Sequence, residues 1–241
     1  MRIIRATDYA DMSRKAAGII AAMVMIKPDC ALGLATGDSP LGLYGRLAES
    51  CVNGEIDFSQ TKAFNLDEYR GLAPDAEQGY RFFMWQNLFS KINIKKENLR
   101  IPDGLADDSA AECARYEAAI KNCGGIDLQL LGIGHNGHIG FNEPGDSFVV
   151  DTHLVDLTDS TIDANSRFFE RREDVPVQAY TMGIGSIMRA RKVLMIVSGE
   201  KKAEIVKRAF YGGVSPDVPA SVLQLHGDFT LVGDEAALSL I

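Results

Sequence analysis

The sequence has only four cysteines, and no two of them form a C-x-x-C pair. That spacing is typical of cysteines that pair or bind a metal, and the four residues lie on segments whose patterns predict strand or helix. We therefore expect four free thiols.

Long hydrophobic runs are also missing, because no apolar stretch reaches the roughly 20 residues needed to span a bilayer. Residues 16–26 alone resemble a signal sequence. However, Asp8 and Asp11 precede this segment, and no small-residue cleavage site follows before Lys27. We therefore predict a buried helix at 16–26, a cytoplasmic location and no membrane partner.

Basic side chains are scarce, since 25 Lys and Arg face 33 Asp and Glu, for a formal net charge of -8. A negative chain opposes binding to nucleic acid and to anionic membranes. An anionic ligand therefore needs a local basic pocket. Hydrophobic residues at 46% and charged residues at 24% are near the globular average, so we expect a sizeable core.

Short apolar runs alternate along the chain with stretches whose apolar residues are three and four apart. The runs that predict strands are residues 2–5, 31–34, 62–66, 126–132 and 192–198. The stretches that predict helices are residues 8–26, 41–50, 80–89, 110–122, 201–211 and 234–240. This alternation predicts an α/β fold with a mostly parallel sheet and helices on both faces.

Polar or glycine-rich clusters follow three of the predicted strands directly, at residues 35–40, 67–71 and 134–138. In a parallel sheet, ligands bind outside the carboxyl ends of the strands. We therefore expect all three clusters to open onto one edge of the sheet, which we call the rim.

The first cluster contains Thr36, Gly37 and Ser39 and leads into Pro40. Proline is favoured at the first helical position, so the segment predicts a strand, a loop and a helix start. Unpaired N–H groups at a helix N-terminus attract phosphate, and the two hydroxyls can add donors. An ordinary cap that serves only the helix is the alternative. No Walker motif is present, because no Gly-Lys-Ser/Thr follows.

Two basic residues could complete a phosphate site, although both could also be solvated surface charges. Lys202 follows the predicted strand at 192–198 and so lies at the rim. Arg167 is flanked by Phe168 and Phe169, which could hold it in place.

Asp67 and Glu68 follow the predicted strand at 62–66. A carboxylate at a partly dry rim is a candidate general base, since desolvation raises its pKa toward the working range. The alternative is a helix cap or a surface pair.

The third cluster lies in a glycine-rich segment at 132–145. Its glycines match the dinucleotide fingerprint G-x-G-x-x-G, but Pro144-Gly145 follows where a helix is required. His135, His138 and Glu143 could bind a metal, yet they lack the helical spacing of known zinc motifs. We expect no metal and no nucleotide cofactor. His138 is then a candidate proton carrier oriented by Asn136 and Glu143, or else a structural histidine.

Taken together, these segments resemble the glucosamine-6-phosphate deaminase family. The resemblance rests on residues 32–37, 64–69, 137–144 and 164–169. The Asn-Leu-Asp-Glu-Tyr and Gly-His-Ile-Gly-Phe-Asn-Glu-Pro motifs are specific to that family, whereas the Thr-Gly loop is shared with 6-phosphogluconolactonases. The resemblance implies a single Rossmann-like domain over 1–241.

The resemblance also implies a small-molecule substrate, glucosamine 6-phosphate, which is isomerised and loses ammonia to give fructose 6-phosphate. His138, supported by Glu143 and Asn136, would assist ring opening, and Asp67 would remove the C2 proton. The residues that would hold the phosphate are Thr36, Gly37, Ser39, Arg167 and Lys202.

Three departures from the common family pattern qualify these expectations. Many members carry Asp at the position of Asn136, and an amide can orient His138 but cannot hold a proton. Asp38 replaces a small neutral residue, and we expect it to point away from the phosphate. Residues 146–157 lack the basic side chains that bind an activating sugar phosphate, so we expect no such allostery. A monomer or small homo-oligomer is expected.

Two other functions fit parts of the pattern. A 6-phosphogluconolactonase needs the histidine and the phosphate grip but no base at C2, so Asp67 argues against it. A sugar-phosphate-sensing domain of a transcription regulator needs no catalytic set, and no basic or helix-turn-helix segment precedes the first strand.

Overall fold

The computed structural model of the chain describes residues 1–241, apart from the side chain of Ala164. The strands are β1 (Arg2–Ala6), β2 (Ala31–Leu34), β3 (Lys62–Asn65), β4 (Asp67–Tyr69), β5 (Leu99–Arg100), β6 (Leu128–Leu131), β7 (His153–Asp156), β8 (Gln178–Thr181), β9 (Val193–Val197) and β10 (Phe229–Asp234). The α-helices are α1 (Tyr9–Ile26), α2 (Leu41–Val52), α3 (Tyr80–Asn87), α4 (Ser109–Asn122), α5 (Asp159–Asn165), α6 (Ile184–Met188) and α7 (Ala203–Tyr211). Short 3₁₀ turns connect several of them.

Seven strands form one parallel sheet in the order β1-β10-β9-β6-β2-β3-β5. Every residue of β2, β6 and β9 is buried, as expected for strands covered on both faces. The α/β fold predicted from the alternating pattern is therefore confirmed.

Helices cover both faces of this sheet. On one face, α1 and α2 pack residues such as Ile20, Leu43 and Leu47 into a common apolar cluster. On the other face, α4 and α7 contribute Tyr116 and Phe210 to a second cluster. Among the described residues, no helix is both long enough and apolar enough to span a membrane.

Residues 16–26 belong to α1, as predicted. The side chain of Asp8 caps this helix by accepting a hydrogen bond from the backbone N–H of Asp11. Ala16, Ile20 and Val24 are buried, whereas Ile26 is exposed. The four cysteines are free, as predicted.

A second sheet of three antiparallel strands, in the order β4-β8-β7, adjoins the first and was not predicted. The backbone N–H of Leu66 donates to Leu34 O in β2, and Leu66 O accepts from Met182 N just after β8. The chain therefore changes sheets at Leu66. Asp67 is consequently the first residue of a short strand, and not of a loop.

The prediction of a helix at 234–240 is wrong. Asp234 ends β10, and its side chain accepts a hydrogen bond from Ala237 N at 2.8 Å, while the following residues form turns. Ala237 and Leu238 are buried in the core, and a side chain at Gly233 would meet Leu238. The apolar residues at helix-like spacing are therefore those that pack this turn against β10.

Candidate active site

The clusters predicted to share a rim follow strands that are neighbours in the parallel sheet. Strands β9, β6, β2 and β3 lie side by side in that order, and all point the same way. Lys202 follows β9, the histidine loop at 132–145 follows β6, and the loop at 35–40 follows β2. Their carboxyl ends therefore form one continuous edge.

Asp67 is almost sealed from solvent, with 6% of its surface exposed. Its Oδ1 atom is buried, and no hydrogen-bond partner for it is found among the described residues. Burial, followed by the neighbouring charge of Glu68, raises the pKa of Asp67 to about 8. Such a carboxyl group can hold or release a proton near neutral pH.

The adjacent carboxylate has a different task. Glu68 accepts hydrogen bonds from the backbone N–H groups of Tyr69, Tyr80 and Arg81 at 2.8–2.9 Å. Two of these groups lie in the first turn of α3, where N–H groups have no partner within the helix. Glu68 thus satisfies the helix-capping alternative, and Asp67 does not.

His138 and Glu143 contact each other within the histidine loop. His138 Nδ1 lies 3.1 Å from Glu143 Oε1, without the geometry of a hydrogen bond. Glu143 Oε2 accepts a hydrogen bond from Asn136 Nδ2 at 2.6 Å. Burial tends to raise the pKa of Glu143, but the contacts with His138, Asn136 and Thr161 outweigh it and lower the pKa to about 2. Glu143 is therefore ionised at neutral pH beside the imidazole.

Asn136 acts on this pair indirectly. Its Oδ1 accepts from the backbone N–H of His138 at 3.1 Å, while its amide group donates to Glu143. The structure thus places Asn136 as a brace for the loop and the carboxylate. The expectation is that Asn136 orients the imidazole of His138, but its hydrogen bond with His138 is to the backbone N–H.

Glycine at 134 makes room for the imidazole. Gly134 N donates to His138 O at 2.9 Å, which closes the turn. A Cβ atom at this position would lie 2.3 Å from His138 Nε2, far inside van der Waals contact. The ring therefore rests directly on the glycine backbone.

The histidine loop packs against the strand that carries Asp67. Phe141 N donates to Thr181 Oγ1 at 3.1 Å, and Thr181 is the register partner of Asp67 between β8 and β4. A Cβ at Gly140 would lie 2.7 Å from that same hydroxyl and 3.3 Å from Leu66. Asp67 and the histidine loop are thus joined through Thr181 and Leu66.

The helix α1 contacts the loop at 35–40 through Tyr9. Gly37 has a φ of 95°, a conformation that glycine adopts readily. Tyr9 Oη donates to Asp38 O at 3.1 Å and accepts from Gly42 N at 2.8 Å, inside the first turn of α2.

Pro40 is the N-cap of α2, one position before the first helical position predicted for it. Thr36 and Ser39 are half-buried.

The two basic residues reach different parts of the rim. Arg167 Nη2 donates to Asp38 Oδ2 at 2.9 Å, which places the guanidinium beside the loop at 35–40. Contrary to the expectation that Asp38 points away from the phosphate, its carboxylate therefore faces Arg167, a residue predicted to bind the phosphate, because the guanidinium attracts it. Lys202 Nζ donates to Ile133 O at 2.7 Å, at the start of the histidine loop. Burial lowers the pKa of Lys202.

Residues 7–231 match the family described as glucosamine-6-phosphate isomerases/6-phosphogluconolactonase. The chain belongs to this family. A protein of Lachnoclostridium phytofermentans named glucosamine-6-phosphate deaminase is 59% identical over 232 residues, which cover 96% of this chain and 98% of that protein.

Solved structures agree with this membership. A monomeric glucosamine-6-phosphate deaminase is 44% identical, with a TM-score of 0.96 and full coverage of both chains. The 6-phosphogluconolactonase from Trypanosoma cruzi has a TM-score of 0.80 at 19% identity, covering 99% of this chain and 96% of that one. At that identity the likeness shows the fold alone.

In this isomerase/lactonase family fold, three residues that the sequence did not indicate also contact the predicted site segments. Thr161 Oγ1 donates to Glu143 Oε1 at 2.8 Å, Tyr9 braces the loop at 35–40, and Thr181 links the histidine loop to β4. Each partner is at least 18 residues away in sequence. Local patterns carry no signal for such contacts.

Gly134→Ala is predicted to displace the His138 ring and to lower kcat about 10- to 100-fold while the fold persists, because a misplacement near 1 Å has effects of this size. The ring can swing away, so the backbone need not move. Steady-state kinetics and circular dichroism check this. Gly132→Ala is the matched control, since its Cβ would meet nothing within 4 Å. Equal rates for the two variants would contradict the placement of the imidazole.

Burial of Asp67 predicts that this residue destabilises the protein as pH rises. The folded chain keeps a proton that the unfolded chain, with an ordinary pKa near 4, has lost at neutral pH. The contribution of Asp67 to stability is complete below the pKa of the unfolded chain and is lost as pH rises to about 8, the pKa of the folded chain. Asp67→Asn should therefore gain stability over wild type between pH 5 and 8, by at most about 4 kcal/mol. Urea unfolding at both pH values checks this, and a pH-independent difference would contradict it.

Proposed function

We propose that the chain is a glucosamine-6-phosphate deaminase, which converts glucosamine 6-phosphate and water into fructose 6-phosphate and ammonia. One observation carries the proposal. A buried carboxyl group with a raised pKa, Asp67, adjoins the loop that holds the His138–Glu143 pair. Removal of a proton next to a carbonyl needs such a base, whereas lactone hydrolysis does not.

The first step is phosphate capture at the loop at 35–40. Thr36, Gly37 and Ser39 offer hydroxyl and backbone N–H donors at the start of α2, and Arg167 and Lys202 supply positive charge. A remote phosphate fixed in this way holds C2 against Asp67, so that binding energy is used for positioning.

Ring opening is the task of His138. The imidazole moves a proton from the anomeric hydroxyl to the ring oxygen, which breaks the C1–O5 bond and leaves an aldehyde at C1. Glu143 stabilises the imidazolium that forms in between, because it stays charged. Asn136 and Thr161 hold Glu143 in place through their hydrogen bonds.

Asp67 then takes the proton from C2, the C1–C2 double bond forms, and the carbonyl electrons move to the C1 oxygen, which takes up a proton to give an enolamine. Return of a proton to C1 gives the imine of fructose 6-phosphate, and water replaces nitrogen to release ammonia. A carboxyl group whose pKa is near 8 can both accept and return a proton close to neutral pH.

The decisive assay is ammonia release from glucosamine 6-phosphate, measured together with formation of fructose 6-phosphate. Equal amounts of both products are expected. A parallel assay with 6-phosphogluconolactone separates the lactonase alternative, and hydrolysis of the lactone without ammonia release would overturn the proposal. An arm with EDTA tests our inference that no metal takes part.

We further infer a single domain over 1–241 that works in the cytoplasm as a monomer or small homo-oligomer, with no nucleic-acid partner. The 44% identical solved structure, described as monomeric, supports the first of these states. Light scattering of the purified chain distinguishes them.

A further inference from the structure

The carboxylate of Asp38 accepts a hydrogen bond from the guanidinium of Arg167 beside the loop at 35–40. Asp38 Oδ2 accepts from Arg167 Nη2 at 2.9 Å, and 129 residues separate the two in sequence. A negative group at the edge of an anion site is unfavourable for anion binding, because like charges repel at short range. This placement therefore calls for a functional explanation.

Each residue also has a contact outside the pair. The Arg167 guanidinium also lies over the Phe168 ring, 4.5 Å from its centre. The backbone of Asp38 is held separately by Tyr9 Oη. The Asp38 side chain is 69% exposed and that of Arg167 is 61% exposed, and ion pairs between exposed side chains are weak.

We propose that Asp38 is an internal competitor of the substrate phosphate for Arg167. The phosphate dianion displaces the Asp38 carboxylate from the guanidinium on binding, and the carboxylate returns when product leaves. A phosphate can displace the carboxylate because it carries more negative charge than the carboxylate and offers several oxygens to the planar guanidinium. Asp38 thereby sets the affinity for the sugar phosphate. The inference rests on the phosphate site of the proposed function.

Asp38→Asn isolates the charge, since it keeps the size of the side chain and leaves the contacts of Tyr9 and Phe168 in place. We expect KM for glucosamine 6-phosphate to fall about threefold to tenfold, in line with the loss of one weak ion pair and one repulsion. The gain should appear in KM and not in kcat. It should shrink in 0.5 M KCl, because salt screens exposed charges.

The matched control is Asp174→Asn. Asp174 pairs with Arg171 in another contact at the protein surface, with Nη2 to Oδ1 at 2.6 Å, and this control should leave KM unchanged. A KM for Asp38→Asn that is unchanged or higher than wild type would overturn the proposal.

Calorimetric titration with inorganic phosphate keeps this test independent of turnover. Tighter phosphate binding by Asp38→Asn than by wild type supports the competition even if neither protein releases ammonia, a result that would refute only the proposed function. Equal or weaker phosphate binding by the variant refutes the competition, whatever the activity.

Discussion

Asp67→Asn should lower kcat by a factor of about 10² to 10⁴, the range that a positioned general base contributes. The amide cannot accept the C2 proton, whereas the ring can still open and the phosphate can still bind. KM should therefore change little. Steady-state kinetics with glucosamine 6-phosphate measure both constants.

The same variant should fold normally. The Asp67 carboxyl group is buried, and its Oδ1 has no partner among the described residues, so an amide of equal size replaces the protonated carboxyl group without breaking a contact of that atom. Asp75→Asn is the matched control, an exposed carboxylate on the connection between β4 and α3. A wild-type kcat for Asp67→Asn, or a large loss for the control, would contradict the assignment.

His138→Gln should lower kcat by a factor of about 10² or more, because the variant lacks the group that carries the proton between two sugar oxygens. Glutamine keeps a polar side chain near Glu143 but has no basic nitrogen. The loss should appear in the rate of ammonia release at saturating substrate.

His135 provides the control for this variant. It is exposed in the same loop, three residues earlier, and does not contact Glu143 in the hydrogen-bond pattern of the described residues. His135→Gln should retain the rate within about twofold. A larger loss for His135→Gln than for His138→Gln would show that the wrong imidazole has been assigned.

The rim was predictable from sequence because three polar clusters directly follow buried strands. Parallel strands place their carboxyl ends together, so the clusters could be grouped without knowing any distance. The loop at 35–40 and the histidine loop follow β2 and β6, which are neighbours in the sheet.

The environment of Asp67 was not predictable in the same way. Its strand exists because β8, more than 100 residues later, pairs with residues 67–69. Local spacing indicated only a loop after the strand at 62–66. The change of sheet at Leu66 depends on tertiary packing, and this packing buries the carboxyl group and raises its pKa.

Contacts of single side chains were also beyond the sequence. Thr161 and Glu143 lie on different segments, and Asp38 meets Arg167 only because α5 and the turn after it lie over the rim. The mistaken helix at 234–240 has a related cause. Spacings of three and four also occur in a series of turns that packs against a strand.

The claim on which the rest depends is that Asp67 moves the proton at C2 of a substrate held by its phosphate. Proton NMR of glucosamine 6-phosphate labelled with deuterium at C2 tests it directly. Wild type should remove the label from C2, and Asp67→Asn should leave it there at equal enzyme concentration. Removal of the label by Asp67→Asn at the wild-type rate would contradict the account.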